Sequence, residues 1–163
     1  MQLMLLIRPI VPEDKALLVA GLRALSPEAA MKRFLSPKVS FSAAELRYLT
    51  EVDQHDHIAY VMLSGDQLVA VARCVRVGPD VADVAVVVGD PWQGRGLGRR
   101  LINLLAARAA EEGITRFAGT MLADNRQALR LMRGFGTPLE RDEISFGVRE
   151  VVTRISPPRL AAA

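Results

Sequence analysis

The 163-residue sequence predicts a single α/β (α+β) domain with six or seven strands. Half of the residues are hydrophobic, enough for one substantial core. The hydrophobic period changes from helical spacing before residue 57 to strand-like runs after it. A glycine-rich segment then separates a valine-rich run from another helical pattern. Because no linker or internal repeat interrupts this order, we expect one domain over residues 1–155 and a flexible tail at 156–163.

The N-terminal part predicts one strand followed by helices. Residues 3–7 are apolar and strand-like. A helical pattern covers residues 12–25, with acidic residues in the first turn, where the helix dipole favours them. Ser26 is expected to cap a second helix reaching residue 35, with proline in its first turn. Ser42, followed three residues later by a glutamate, predicts a capping box on a third helix.

The central part predicts a meander of three antiparallel strands. Residues 58–63, 67–77 and 81–88 are runs rich in apolar residues, mainly valine and alanine. Polar turns containing Gly65 and Gly78 separate these runs. Short turns of this kind join neighbouring antiparallel strands, so the three runs should pair in chain order.

The C-terminal part predicts a helix, a strand, a second helix and a last strand or pair. Apolar residues recur at helical spacing from Leu97 until Gly113, which ends the helix. Residues 115–122 then predict a strand. Asp124 is expected to cap the next helix, and residues 144–155 predict the closing strand.

Charge and composition argue against several functional classes. The 21 basic and 18 acidic residues are interspersed and give a net charge of only +3. Aromatic residues are scarce and no basic stripe contains them, so we expect no nucleic-acid partner. The apolar N-terminus lacks a preceding basic region, and no apolar run approaches the roughly 20 residues of a membrane span. A cytoplasmic protein without a membrane partner is therefore expected.

Three alternating glycines, Gly94, Gly96 and Gly98, lie at the start of the central helix. The dinucleotide fingerprint would need a further glycine where Arg99 stands, and the P-loop would need a lysine that this segment lacks. Alternating glycines before a helix leave successive backbone N–H groups accessible. Together with the helix dipole, these groups predict a cradle for a diphosphate, which nearby arginines could extend.

The segment Gln-Gly-Arg-Gly-Leu-Gly at residues 93–98 resembles the acetyl-CoA-binding motif of the GNAT acyltransferase superfamily. The order of elements is similar to that superfamily over nearly the whole chain. Residues 122–131, where Asn125 opens a helix, are similar to its second cofactor-contacting region. The resemblance implies a mixed, mostly antiparallel twisted sheet of six or seven strands with helices on both faces.

The same resemblance implies acetyl-CoA as cosubstrate. No metal is expected, because a single cysteine excludes a cysteine-based metal cluster. It places pantetheine along the valine-rich strand and the pyrophosphate on the amides of residues 93–99. The residues that it assigns to cofactor binding are Ala85, Val86, Val87, Val88, Gln93, Gly94, Arg95, Gly96, Leu97, Gly98, Arg99 and Asn125.

Residues 33–38, 45–53 and 57–59 are similar to the catalytic domain of Pat-type bacterial protein lysine acetyltransferases. That similarity implies acetyl transfer to a primary amine, with a protein lysine as the expected acceptor. Two alternatives stay open: an acetyltransferase for a small amine, such as a polyamine or an aminoglycoside, and a non-catalytic acyl-CoA-sensing module. The sequence also leaves a monomer and a homodimer open.

Asp83 is the candidate general base. An aspartate is poorly suited to a strand interior, and strand alternation places Asp83 on the same face as Ala85. A lysine amine must lose its proton before it attacks a thioester, and a carboxylate can accept that proton. Pat-like enzymes carry a glutamate at the matching place, one methylene longer. The alternative interpretation of Asp83 is an edge residue that faces solvent. In that case the next candidates for the general base would be Glu45, Glu51 and Asp53.

Other reactive residues have structural interpretations. Met132 occupies the approximate position at which many superfamily members carry a tyrosine that protonates the leaving thiolate. Water would then supply the proton, or CoA would leave as thiolate. Cys74, the only cysteine, lies in an apolar run and is expected to be a buried hydrophobe. His55 and His57 could suggest a metal site, but a polar turn is favoured because no third ligand is evident.

Overall fold

The computed structural model describes residues 4–155, which form seven strands, five α-helices and two short 3₁₀ turns. The tail at 156–163 lies outside the described residues. The strands are β1 (Leu5–Pro9), β2 (His57–Ser64), β3 (Gln67–Arg76), β4 (Val81–Val88), β5 (Arg116–Leu122), β6 (Arg141–Ser145) and β7 (Val148–Arg154). The helices are α1 (Lys15–Ala24), α2 (Pro27–Phe34), α3 (Ala43–Thr50), α4 (Leu97–Glu111) and α5 (Arg126–Arg133).

The seven strands form one sheet in the order β1-β2-β3-β4-β5-β7-β6. All neighbouring strands are antiparallel except β4 and β5, which run parallel. A parallel pair needs a crossover connection, and α4 supplies it between β4 and β5. The expected β2–β3–β4 meander and the mixed, mostly antiparallel sheet are therefore confirmed.

Helices pack on both faces of the sheet. On one face, α4 and α5 cover a core that includes Met62, Leu105 and Phe117. On the other face, α1 and α3 cover a smaller core that includes Leu18 and Val71. Strand alternation divides β4 between them: its even-numbered residues contact the α4 core, whereas Val87 contacts the opposite one.

The predicted capping residues are confirmed at two helices, and the prediction is wrong at a third. Ser26 Oγ accepts a hydrogen bond from the Ala29 N–H at 3.1 Å, as expected for α2. The capping box of Ser42 and Glu45 is present at α3. At α5, however, the capping residue is Asn125 rather than Asp124.

The chain ends differ from the sequence expectation for identifiable reasons. The helix expected over residues 12–25 begins as a 3₁₀ turn, Pro12–Asp14, because the Asp14 carboxylate accepts hydrogen bonds from Arg8 and from the Val11 N–H. The closing segment is a pair of strands whose first member starts at 141, before the apolar pattern begins. That strand, β6, is an exposed edge of charged residues, so it carries no alternating hydrophobic signal.

The polar turn before β2 is held by Asp53 Oδ1, which accepts hydrogen bonds from the N–H groups of His55, Asp56 and His57. The His57 ring is buried, and its Nε2 lies 3.0 Å from Arg73 Nη1. Because a guanidinium only donates, His57 must accept there and is therefore neutral. No group of three metal-ligating side chains occurs within residues 4–155.

Acid should destabilise the fold through His57. Burial, and then the charge of Arg73, lower the His57 pKa from 6.5 to about 4. The unfolded chain binds this proton more readily than the folded protein. The free energy of unfolding therefore keeps its full value above pH 6.5 and declines as the pH falls towards 4. We expect His57→Gln to flatten that decline by about 1.4 kcal/mol for each pKa unit of the shift. Urea titrations across this range would measure it; equal slopes for the two proteins would contradict the assignment.

Candidate active site

The parallel pair β4–β5 opens into a cleft. The two strands pair only between residues 81–83 and 116–118, and separate beyond them. A cavity of about 400 Å³ lies at this separation. Its walls come from the second half of β4, from β5, from the first turn of α4, from α5 and from three residues of α2.

The edge of β4 that faces this cavity carries unpaired backbone groups. The Gly89 N–H donates to the Val69 carbonyl at 2.8 Å. The backbone N–H and C=O groups of odd-numbered residues in this segment therefore point towards β3. The backbone groups of Val84, Val86 and Val88 therefore point towards the cavity. Gln93 Nε2 donates to the Val88 carbonyl at 3.1 Å. An extended ligand with amide groups could pair with the remaining edge as an added strand.

The N-terminus of α4 opens into the same cavity. Gly96 precedes the helix in the left-handed conformation with φ 76°, and no side chain caps the first turn. Its first N–H groups thus lack a capping acceptor and carry the positive end of the helix dipole. At Gly94 and Gly96, both with φ 76°, an added Cβ would meet no atom within 4 Å. Glycine is needed there for the backbone conformation, and the space in front of the amides is open to an anion.

Two arginines of the glycine segment have partners within the protein. Arg99 Nη1 and Nη2 donate to the Leu131 and Arg130 carbonyls at 2.9 and 2.7 Å, near the end of α5. The Arg99 side chain therefore joins α4 to α5, whereas its backbone lies in the first turn of α4. The Arg95 guanidinium lies 5.4 Å from the centre of the Trp92 ring. Neither guanidinium group forms an ion pair with a carboxylate within residues 4–155.

Eleven of the twelve residues assigned to the cofactor line the cavity; Arg95 is the exception. Asn125 is buried there, and its Oδ1 accepts the Ala128 N–H at 3.2 Å, which starts α5. Met132 also lines the cavity. Cys74 is fully buried elsewhere in the core, and burial raises its pKa to about 12. Its thiol is therefore protonated at neutral pH, which supports the structural interpretation.

Asp83 lies where the paired part of β4 and β5 ends and the cleft begins, outside the residues that line the cavity. It is the last residue of β4 that pairs with β5, opposite Ala118, and it is exposed. Partial burial, and then the negative charge of Glu150, raise the Asp83 pKa above its ordinary value. Asp83 makes no ion pair within the described part of the chain. A carboxylate of raised pKa without a cationic partner is suited to accept a proton.

The three alternative acids are engaged elsewhere. Glu45 pairs with Lys38 and closes the capping box of α3, and these contacts lower its pKa. Glu51 pairs with Lys15 at 3.0 Å. Asp53 accepts the three backbone hydrogen bonds of the polar turn, which lower its pKa. None of these carboxylates lines the cavity.

The contribution of α2 to the cavity was missed at the sequence level. Ala29, Lys32 and Arg33 line the cavity, as do Ala85 and Val87 of β4. The similarity of the segment around Arg33 to Pat-type domains does not place it in the cavity. Its role in the cavity depends on how α2 lies against the sheet, which local sequence patterns do not specify.

Within residues 4–155, no helix has the length and apolar character needed to cross a bilayer.

Comparison with known proteins identifies relatives of this chain. Residues 28–137 match the family model described as the acetyltransferase (GNAT) family. Acetyltransferase Pat of Mycolicibacterium smegmatis (strain ATCC 700084 / mc(2)155) is 36% identical over 149 residues, covering 89% of this chain. The match covers 44% of that relative, so the chain spans less than half of its length.

Two solved structures share the fold. The GNAT domain of S. lividans PAT has a TM-score of 0.83 and 30% identity, over 91% of this chain and 89% of that one. Spermidine N-acetyltransferase from Vibrio cholerae, solved in complex with CoA and spermine, has a TM-score of 0.72 and 15% identity, over 92% of this chain and 95% of the other. At 15% identity the second similarity shows the fold alone. These matches confirm the fold expected from the sequence.

Proposed function

The chain belongs to the acetyltransferase (GNAT) family, and from this premise we propose that it transfers the acetyl group of acetyl-CoA to a lysine of a protein. The observation that carries the proposal is the cavity, where an open strand edge meets an uncapped helix N-terminus. These two features suit the amide-rich arm and the diphosphate of one extended cosubstrate.

We propose one direction for acetyl-CoA in the cavity. Its diphosphate would contact the amides at the start of α4, around Gly96 and Gly98. Its pantetheine amides would pair with the open edge of β4 at Val86. The thioester would then lie near Ala85, where the cleft closes and Asp83 begins the paired part of the strand. Asn125 would border the pantetheine from α5.

Asp83 is the proposed general base. A lysine with a pKa of about 10.4 must lose its proton at a cost of roughly 4–5 kcal/mol at pH 7. Asp83, directly or through one water, would accept that proton as the amine nitrogen attacks the thioester carbonyl. The C–N bond forms, the C–S bond breaks, and CoA leaves. Because Met132 stands where a tyrosine could donate, CoA leaves as thiolate or takes its proton from water.

The acceptor is proposed from the closer relatives. The 36% identity to acetyltransferase Pat supports a protein lysine. The spermidine enzyme shares only the fold at 15% identity, so it supports a polyamine acceptor less strongly. A non-catalytic acyl-CoA-sensing module is the third candidate. The raised pKa of Asp83 favours catalysis over that role.

An acceptor panel would test this proposal. Release of CoA thiol from acetyl-CoA is measured with a dialysed bacterial protein extract, and separately with spermidine and aminoglycosides. We expect turnover with the protein extract and little with the free amines. Efficient turnover of a small amine without labelled protein would favour the first alternative. Acetyl-CoA binding without transfer to any acceptor would favour the sensing module.

A further inference from the structure

Two arginines belong to β3 and α2, two of the elements that contact β4. Arg73 of β3 is paired with Ala85 of β4 in the antiparallel ladder, and its side chain is only 6% exposed. Arg33 of α2 lines the cavity, as do Ala85 and Val87 of β4. Arg33 thus shares the cavity lining with Ala85, at which we place the thioester, and the backbone of Arg73 lies opposite Ala85.

Neither arginine has an acidic partner within residues 4–155. Arg73 Nη1 donates to the Leu49 carbonyl at 2.9 Å and to neutral His57 at 3.0 Å. Arg33 makes no hydrogen bond or ion pair in the described part of the chain, and its Cζ lies 4.7 Å from the centre of the Phe34 ring. Asp83, two residues before Ala85, forms no ion pair with either arginine.

Two other partly buried arginines, in contrast, bind carboxylates. Arg8 binds Asp14 at 2.7 Å, and Arg76 binds Asp56 at 2.8 Å. Burying a charge is costly unless an opposite charge or several hydrogen bonds compensate it. Burial, and then the charge of Arg33, lower the Arg73 pKa to about 10, and burial lowers the Arg33 pKa. An anion bound at Arg33 would stabilise the charged forms of both arginines and so oppose the lowering of both pKa values.

We propose that Arg33, supported by the neighbouring charge of Arg73, forms a carboxylate-binding subsite at the acyl end of the cavity. This inference rests on the part of the proposed function that binds acyl-CoA and so defines the acyl end; it does not depend on which amine is the acceptor. The planar guanidinium donates two parallel hydrogen bonds to a carboxylate, which a neutral methyl group cannot accept. The transfer step itself is unchanged: the C–N bond forms, the C–S bond breaks, and the amine proton passes to Asp83.

The carboxylate has two sources. It is either the distal carboxylate of a dicarboxylic acyl-CoA, such as succinyl-CoA, or the carboxylate of an amino-acid acceptor. The first source makes the subsite a determinant of the acyl group that is transferred. The second makes it a determinant of the acceptor. Both predict that a ligand with the carboxylate binds more tightly than its neutral counterpart.

Calorimetric titration separates the two sources without requiring turnover. In the donor arm, the protein is titrated with acetyl-CoA and with succinyl-CoA. In the acceptor arm, the CoA-saturated protein is titrated with L-lysine and with lysinamide, which lacks the carboxylate. We expect a preference for the carboxylate ligand in one arm, and its loss by about tenfold or more in Arg33→Gln, as for a removed charge-assisted hydrogen bond. Arg33→Lys should retain part of the preference, because it keeps the charge.

Lys32→Gln is the matched control, because Lys32 lies on the same helix and in the same wall but pairs with Glu28 at 3.5 Å. It should leave the preference unchanged. The proposal is overturned if the parent prefers the carboxylate in neither arm, or if Arg33→Gln and Lys32→Gln lower the preference equally. Thermal unfolding verifies that each variant is folded. If the parent failed to bind acetyl-CoA at all, the proposed function would be contradicted. The donor arm measures this binding directly, separately from the ratio of affinities for succinyl-CoA and acetyl-CoA.

Discussion

Replacing Gly96 with valine should weaken CoA binding by roughly a hundredfold, which corresponds to about 2.7 kcal/mol. The φ of 76° at Gly96 lies in the left-handed region, which a β-branched residue rarely adopts. The first turn of α4 would have to shift, and the valine side chain would occupy the space in front of its free amides. Calorimetric titration with CoA, which is not turned over, would measure the loss.

Gly113→Val is the control for backbone strain alone. Gly113 follows the opposite end of α4 with φ 80°, and an added Cβ there would also meet no atom within 4 Å. This variant should lose stability without losing affinity for CoA. If a folded Gly96→Val protein bound CoA as tightly as the parent, the diphosphate would not lie at the start of α4.

Asp83→Asn should lower turnover by about 10²–10⁴, the range typical of losing a general base, with unchanged affinity for acetyl-CoA. Asp83→Glu should stay within a modest factor of the parent, because a base acting through water tolerates one more methylene. The rate of the parent should rise with pH, since Asp83 must be ionised and the acceptor amine must be neutral. Initial rates across pH, with the exposed Asp66→Asn as control, would test this.

Stability distinguishes a catalytic Asp83 from a structural one. Its pKa is raised in the folded protein, so above the unfolded pKa the ionised carboxylate opposes folding. Asp83→Asn should therefore be at least as stable as the parent at neutral pH. A variant that loses activity and stability together would indicate a structural role. Full turnover in a folded Asp83→Asn protein would exclude Asp83 as the base.

The features that sequence could predict depend on local chemistry. The caps at Ser26 and Ser42, the valine-rich strands and the glycine segment each carry a signal within a few residues. The contact of Arg99 with the Leu131 carbonyl spans 32 residues and has no such signal. β6 was partly missed because an exposed, charged edge strand does not alternate.

At the candidate site, too, the sequence predicts local features but not long-range packing. Strand alternation correctly placed Asp83 and Ala85 on one face, but the depth of Asp83 depends on where β4 and β5 stop pairing. The presence of Arg33 in the cavity wall depends on the position of α2 over the sheet. Both are long-range packing outcomes, so no local pattern could specify them.

Direct acetyl transfer to lysine is the central claim, and a single turnover with isotopically labelled acetyl-CoA tests it most directly. The fully buried Cys74, with a pKa of about 12, is not a suitable nucleophile for a covalent intermediate. Mass spectrometry should therefore find the label on lysine Nζ atoms of acceptor proteins, and none on Cys74. Label on Cys74, or consumption of acetyl-CoA that leaves every protein lysine unlabelled, would contradict this account.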